Sequence, residues 1–193
     1  MSRWEPNAPG RLREAAFALY TEQGYDETTV AEIAERAGLT ERTFFRHFAD
    51  KREVLFAGSE GFSSAFVQAI DAAPISDPLL SVVAAAVEAA GAAFPPVEMV
   101  GRRRALILAN PELLERELIK LYSTANAIAE ALRRRGTPDA AAVLAAQTGL
   151  SALQVAMDRW IDDPAGRPWE FHVREAMDAA RSLADDPRLA VRS

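Results

Sequence analysis

The chain has no cysteine. That removes disulfides, thiolate metal sites and a cysteine nucleophile at once. Histidine is almost as scarce: His47 and His172 are the only two, and they lie far apart. Neither belongs to a His/Asp/Glu metal spacing, and there is no phosphate-cradling glycine loop. The acidic pairs Glu115/Glu117 and Asp162/Asp163 read as solvated faces and loop ends. The expectation is a non-enzyme without metal or cofactor. No uninterrupted apolar run approaches the ~20 residues of a membrane span. The opening MSRWEPNAPG lacks the apolar stretch of a signal peptide. A cytoplasmic protein with no membrane partner is therefore expected. Alternating strand patterns and fixed-period repeats are absent too.

What is present is helical. Apolar residues make up 49% of the 193, alanine is abundant, and the chain is long enough for one large or two small domains. The fold class expected is all-α, with about nine helices. The net charge of −6 opposes nonspecific nucleic-acid binding. Its distribution is uneven: residues 40–52 hold Arg42, Arg46, Lys51 and Arg52 against Glu41 and Asp50. An acidic protein with one small basic patch fits a site-specific binder.

Local signals place the elements. Leu12, Ala15, Ala16, Leu19 and Tyr20 recur at helical spacing over residues 11–23, and Gly24 follows as a C-terminal cap. Thr28 or Thr29 caps a second helix, with Glu32 completing a capping box after Thr29. Gly38 allows a sharp turn, and Thr40 caps a third helix over residues 41–48 with Phe44 and Phe48 facing inward. Asp50 caps a fourth helix expected to run unbroken over residues 51–73. Further helices are expected over residues 79–94, 97–109, 110–135, 138–161 and 169–184, divided by prolines and by Gly136.

Helix, glycine turn, helix is the helix-turn-helix layout. From spacing alone Arg42, Arg46 and His47 are either a DNA-reading face or a solvated one. Residues 11–55 carry more detail. Ala15, Ala16, Leu19, Gly24, Tyr25, Thr28, Thr29, Val30, Ile33, Ala34, Ala37, Gly38, Leu39, Thr43, Phe45, His47, Phe48, Lys51 and Leu55, in that order and spacing, resemble the N-terminal domain of the TetR family of transcriptional regulators.

The resemblance implies a DNA-binding domain over residues 1–56 and an effector-binding and dimerisation domain over residues 57–193. Thr28 or Thr29 would donate to a phosphate, and Thr40, Thr43, Phe45 and His47 would contact backbone and base edges. Phe45 stands where the family commonly has tyrosine, so contact with a thymine methyl replaces a hydroxyl contact. Lys51 would clamp a phosphate. Arg42 and Arg46 are the candidates for guanine or phosphate.

The body allows more than one reading. Leu150, Leu153, Met157, Val173 and Met177 form an apolar stripe that is either monomer core or, as the resemblance implies, a homodimer interface. Phe62, Phe66, Met99, Leu106, Tyr122 and Trp160 are candidate walls of an apolar pocket. Asn126 and Gln147 are its candidate polar groups; Gln147 also begins a polar stripe with Ser151, Gln154 and Asp158 that faces either solvent or a mate. Residues 102–136 with the later DRWIDDPAG resemble the TetR subgroup associated with acyl-CoA-like effectors. Arg103, between Arg102 and Arg104, would meet a phosphate-bearing ligand or else pair with Glu98 or Glu112. The function expected is a ligand-responsive regulator, most simply a repressor, that binds a near-palindromic double-stranded operator and is released by a small apolar or amphipathic effector pushing the fourth helix. The alternative is a ligand-independent architectural dimer.

Overall fold

The computed structural model describes residues 7–92 and 94–185. Among them are nine α-helices, one 3-10 helix and no strand. The α-helices are α1 (Ala8–Glu22), α2 (Val30–Arg36), α3 (Glu41–His47), α4 (Ser59–Ala72), α5 (Leu79–Gly91), α6 (Val97–Ala109), α7 (Pro111–Arg134), α8 (Asp139–Ile161) and α9 (Trp169–Asp185). The all-α expectation holds.

The fourth helix departs from expectation. Asp50 does act as a cap, accepting from the backbone N–H of Arg52 at 2.8 Å and of Glu53 at 3.1 Å. The element it caps is the short 3-10 helix Glu53–Phe56. Val54, Leu55 and Phe56 are all buried. Three successive residues sweep roughly 200° of an α-helix, so they cannot share one inner stripe. Gly58 then takes φ +93°, a left-handed conformation that side-chain-bearing residues rarely adopt, and α4 begins after it.

The chain divides into two compact units. One, here the head, comprises Met1–Ser59 with Gly101–Ile119; the other, the body, comprises Glu60–Val100 with Lys120–Ser193. Residues 101–119 thus group with the head, across the boundary expected after residue 56. In the head, Leu12, Ala16, Ile33, Phe44 and Val54 are essentially inaccessible, and Leu113 of α7 is buried in the same cluster.

In the body, α8 packs on α9 and α5 around Val83, Val87, Leu153, Val173 and Met177. Among the described residues, α8 is the one helix long and apolar enough by mean hydropathy to pass for a membrane span, although polar residues interrupt its apolar runs. Yet Ala142, Ala145, Ala146, Leu150, Leu153 and Ala156 are buried within the chain, as in a core helix. The C-terminal carbonyls of α4 are held by Arg135, whose guanidinium donates to Ile70 O at 2.9 Å, Ala73 O at 2.6 Å and Pro74 O at 2.7 Å. Between α8 and α9, Asp163 accepts from the backbone N–H groups of Ala165 and Arg167, both at 3.0 Å, and from the Arg167 guanidinium at 2.8 Å. Arg167 foremost holds the Asp163 carboxyl well below the usual range.

Candidate nucleic-acid interface

The head builds its interface from short-range signals. Thr29 caps α2 by accepting from Glu32 N at 3.2 Å, and the Glu32 carboxylate accepts from Thr29 N at 2.8 Å, which completes the capping box. The Thr29 backbone N–H, then the Thr29 hydroxyl and the Gln23 amide, hold the Glu32 carboxyl below its ordinary value. The chain turns at Gly38, φ +65°. Thr40 caps α3 by accepting from Thr43 N at 3.2 Å, and the two threonine hydroxyls lie 3.1 Å apart.

Helix α3 has two faces. Phe44 is fully buried and Phe48 nearly so, their ring centroids 5.6 Å apart. Arg42, Phe45, Arg46 and His47 are exposed, and Thr43 is half-buried. Phe45 leaves 55% of its surface open, its ring edge-on to Phe44 at 5.4 Å. One end of the Arg46 guanidinium is 3.4 Å from His47 Nε2. Burying one face to hold donors and a phenyl ring on the other is what a groove-reading helix requires.

Two of the expected contact residues have partners within the head. Thr28 is 1% exposed, and its hydroxyl donates to Gly24 O at 2.7 Å, so it is part of the core and Thr29 is the capping residue. Lys51 is engaged by nearby backbone. Its ammonium donates to Tyr25 O at 2.8 Å, Thr28 O at 3.0 Å and Asp26 O at 3.2 Å, and lies 4.3 Å from the Tyr25 ring centroid. Arg52 is paired with Asp50 at 2.6 Å. Partial burial pulls the Asp50 carboxyl upward, but hydrogen bonds from Arg52 and from the Glu53 backbone outweigh it and hold the group below its ordinary value.

Sequence reasoning missed the long-range ties within the head. Residues of α6 and α7 pack with the head: Arg103 donates to Leu55 O at 3.2 Å and pairs with Glu117 at 3.1 Å, Arg116 pairs with Glu53, and Tyr25 Oη lies 3.4 Å from Glu112. These partners are separated by up to 87 residues, beyond the reach of any local pattern.

The candidate pocket residues divide the same way. Phe62, Phe66 and Trp160 come together through Phe94 and Trp169: Phe62 stacks on Phe94 at 6.0 Å, Phe94 on Trp160 at 6.0 Å, and Trp169 meets Trp160 edge-on at 5.7 Å. Nothing in the local sequence pattern marks Phe94 or Trp169 as part of this cluster. Met99, Tyr122, Asn126 and Gln147 are exposed, whereas Arg103 and Leu106 belong to the head. Leu150, Leu153, Val173 and Met177 are buried within one chain and Met157 is half-buried, so this stripe is monomer core. The outer face of α8 instead exposes Val143, Leu144, Gln147, Ser151, Gln154 and Val155.

A capped, donor-bearing helix held across a glycine turn, on an all-helical body, defines a protein of the helix-turn-helix class. Residues 12–57 match the family model described as "Bacterial regulatory proteins, tetR family", and residues 76–184 match that of the "MftR C-terminal domain". The transcriptional regulator TcmR of Streptomyces glaucescens is 33% identical over 162 residues, covering 77% of this chain and 69% of that one. The repressor KstR2 of Mycobacterium tuberculosis is 40% identical over 53 residues, 28% of this chain and 26% of its own length. Two solved structures share the fold. NalD, a repressor of a Pseudomonas aeruginosa multidrug efflux pump, superposes with TM-score 0.61 at 16% identity over 92% of this chain and 97% of that one. SmeT in complex with triclosan, from Stenotrophomonas maltophilia, gives 0.60 at 21% over 91% and 90%. The chain belongs to the TetR family of transcriptional regulators.

Proposed function

We propose that this protein is a homodimeric, ligand-responsive repressor that acts in the cytoplasm on a near-palindromic double-stranded operator. The observation that carries the DNA reading is the two-faced α3: Phe44 and Phe48 anchor it while Arg42, Phe45, Arg46 and His47 stand exposed. Arg42 and Arg46 would fork onto guanine O6 and N7 or onto phosphate, and the Phe45 ring would meet a thymine methyl. Thr29, Thr40 and Thr43 would approach the phosphate backbone. Two heads of a dimer would enter major grooves with half-site centres about 10 bp or a multiple apart. The outer face of α8, with Val143, Leu144 and Val155 exposed, would form the dimer contact together with α9.

The effector would be a small apolar or amphipathic compound received by the body, acyl-CoA-like compounds included. The cluster of Phe62, Phe94, Trp160 and Trp169 supplies an aromatic wall for it. A fold likeness to SmeT, a protein seen with triclosan, supports the same class. Helices α6 and α7 each run unbroken from body to head, and Gly58 interrupts the path through α4. A ligand would therefore act on the head through α6 and α7. Release requires that the ligand bind the off-DNA conformation better, since equal affinity shifts nothing.

Native mass spectrometry of the purified protein, followed by operator titration with and without each compound found, tests this reading. The expected outcome is a dimer mass with a small adduct that weakens operator binding at least tenfold, about 1.4 kcal/mol of coupling. A monomer, or operator affinity indifferent to every adduct, would contradict it.

A further inference from the structure

Helix α3 presents its exposed side chains in two rows. Residues four apart stand above one another on a helix, so Arg42 and Arg46 form one row and Glu41 and Phe45 the other. All four are exposed. The first row is cationic and suits guanine or phosphate. The second is a carboxylate followed by a phenyl ring, and a phosphate attracts neither. Glu41 is the first residue of α3, and reading helices meet base edges with their N-terminal residues. Its carboxylate is unengaged: among the described residues it makes no hydrogen bond and no ion pair. The Thr40 hydroxyl, not Glu41, accepts from the Thr43 backbone N–H.

A carboxylate has few partners in a major groove, because it only accepts hydrogen bonds. Guanine and thymine face it with acceptors, which repel it. Cytosine offers the N4 amino group. Adenine offers N6, but with the N7 lone pair beside it. Cytosine is therefore the base that a free carboxylate selects. The Phe45 ring, 55% open, suits the C5-methyl of thymine. One helical turn is about 5.4 Å and one base step about 3.4 Å, so the two contacts fall about one or two base pairs apart.

We propose that Glu41 and Phe45 form a pyrimidine-reading row, in which Glu41 selects a cytosine close to the thymine met by Phe45. The carboxylate also acts by exclusion, since guanine and thymine leave it unpaired among phosphates. The inference rests on the DNA-binding reading above and adds the base that the acidic residue demands.

Parallel selections from a randomised duplex pool test it, with the wild type, Glu41→Ala, Glu41→Gln and Phe45→Ala. Each protein is then titrated on the wild-type site and on unselected duplex. The wild type is expected to enrich a cytosine about one or two base pairs from a thymine. Glu41→Ala is expected to lose the cytosine preference, keep the thymine and bind the wild-type site roughly tenfold more weakly. Phe45→Ala is expected to keep the cytosine and lose the thymine. Glu41→Gln is expected to change the preferred base from cytosine to adenine, because an amide engages N6 and N7 together. Both Glu41 variants are expected to hold unselected duplex more tightly than the wild type does, the repulsion from phosphates being gone.

Three results would overturn the proposal. One is the wild-type base preference retained by both Glu41 variants; lowered melting in Glu41→Ala would then mark a carboxylate that serves only the helix dipole. Another is a wild-type site with no cytosine near the thymine. The third is absence of any enriched site with the wild type, which removes the DNA-binding reading itself and is distinguished by needing no variant.

Discussion

Phe44→Ala is expected to lower the unfolding free energy by about 3–5 kcal/mol. Phe44 is fully inaccessible, lies against Phe45 and Phe48, and shares a cluster with Leu12, Ile33 and Val54. Truncation removes a phenyl ring from a site lined by side chains of α1, α2 and the 3-10 helix, which cannot all collapse into the space. Helix α3 has only seven residues, too few to persist without tertiary packing. Loss of its anchor therefore removes the reading face as well as stability. Against total stabilities of about 5–15 kcal/mol the change is large. Equilibrium urea unfolding measures it; a loss under about 1 kcal/mol would show that α3 is not held by this residue.

The second large effect is expected in the body. At Gly91 an added Cβ would collide with Trp169 Nε1 and two carbons of the same ring, each closer than the 3.0 Å that real Cβ contacts respect. Trp169 has little freedom to move: it is 5% exposed, its indole donates to Val87 O at 3.3 Å, and its ring meets Phe94 and Trp160 edge-on. Gly91→Ala must therefore displace the indole or part α5 from α9, at a cost of about 3 kcal/mol, the upper end of overpacking effects. Pairing it with Trp169→Leu should recover part of that loss, because the two changes act on the same contact. Thermal melting of the single and double variants checks both statements. Strict additivity would contradict the close approach as the cause.

The position of Gly91 illustrates what a sequence conceals. It lies inside the helix expected over residues 79–94 with nothing local to explain it, and its reason is an indole from α9. Where a structure is specified within four residues, the sequence was legible: the Thr29/Glu32 box, the Thr40 cap, the Gly38 turn and the inward Phe44/Phe48 pair are all present. Where it is specified by distant partners, the sequence was silent. Lys51 reads as a surface cation because the carbonyls it meets lie 23–26 residues away. Arg103 reads as a ligand-facing cation until Glu117 and Leu55 are found beside it. The stripe Leu150, Leu153, Val173 and Met177 shows a second limit. Periodicity identifies an apolar face but not which surface covers it, and here the cover is the same chain. The break at Gly58 shows a third, since three buried residues in a row and one left-handed glycine outweigh a helical pattern on either side.

The central claim is that α3 reads DNA through Arg42 and Arg46. Selection of bound duplexes from a randomised pool, done in parallel with the wild type and with Arg42→Ala/Arg46→Ala, tests it most directly. The account predicts that the wild type enriches a near-palindromic site with half-site centres about 10 bp or a multiple apart. It also predicts that the folded double variant binds that site more weakly by about 2–6 kcal/mol, with base preference lost at the positions the arginines read. Enrichment of the same site with the same affinity by the double variant would contradict it.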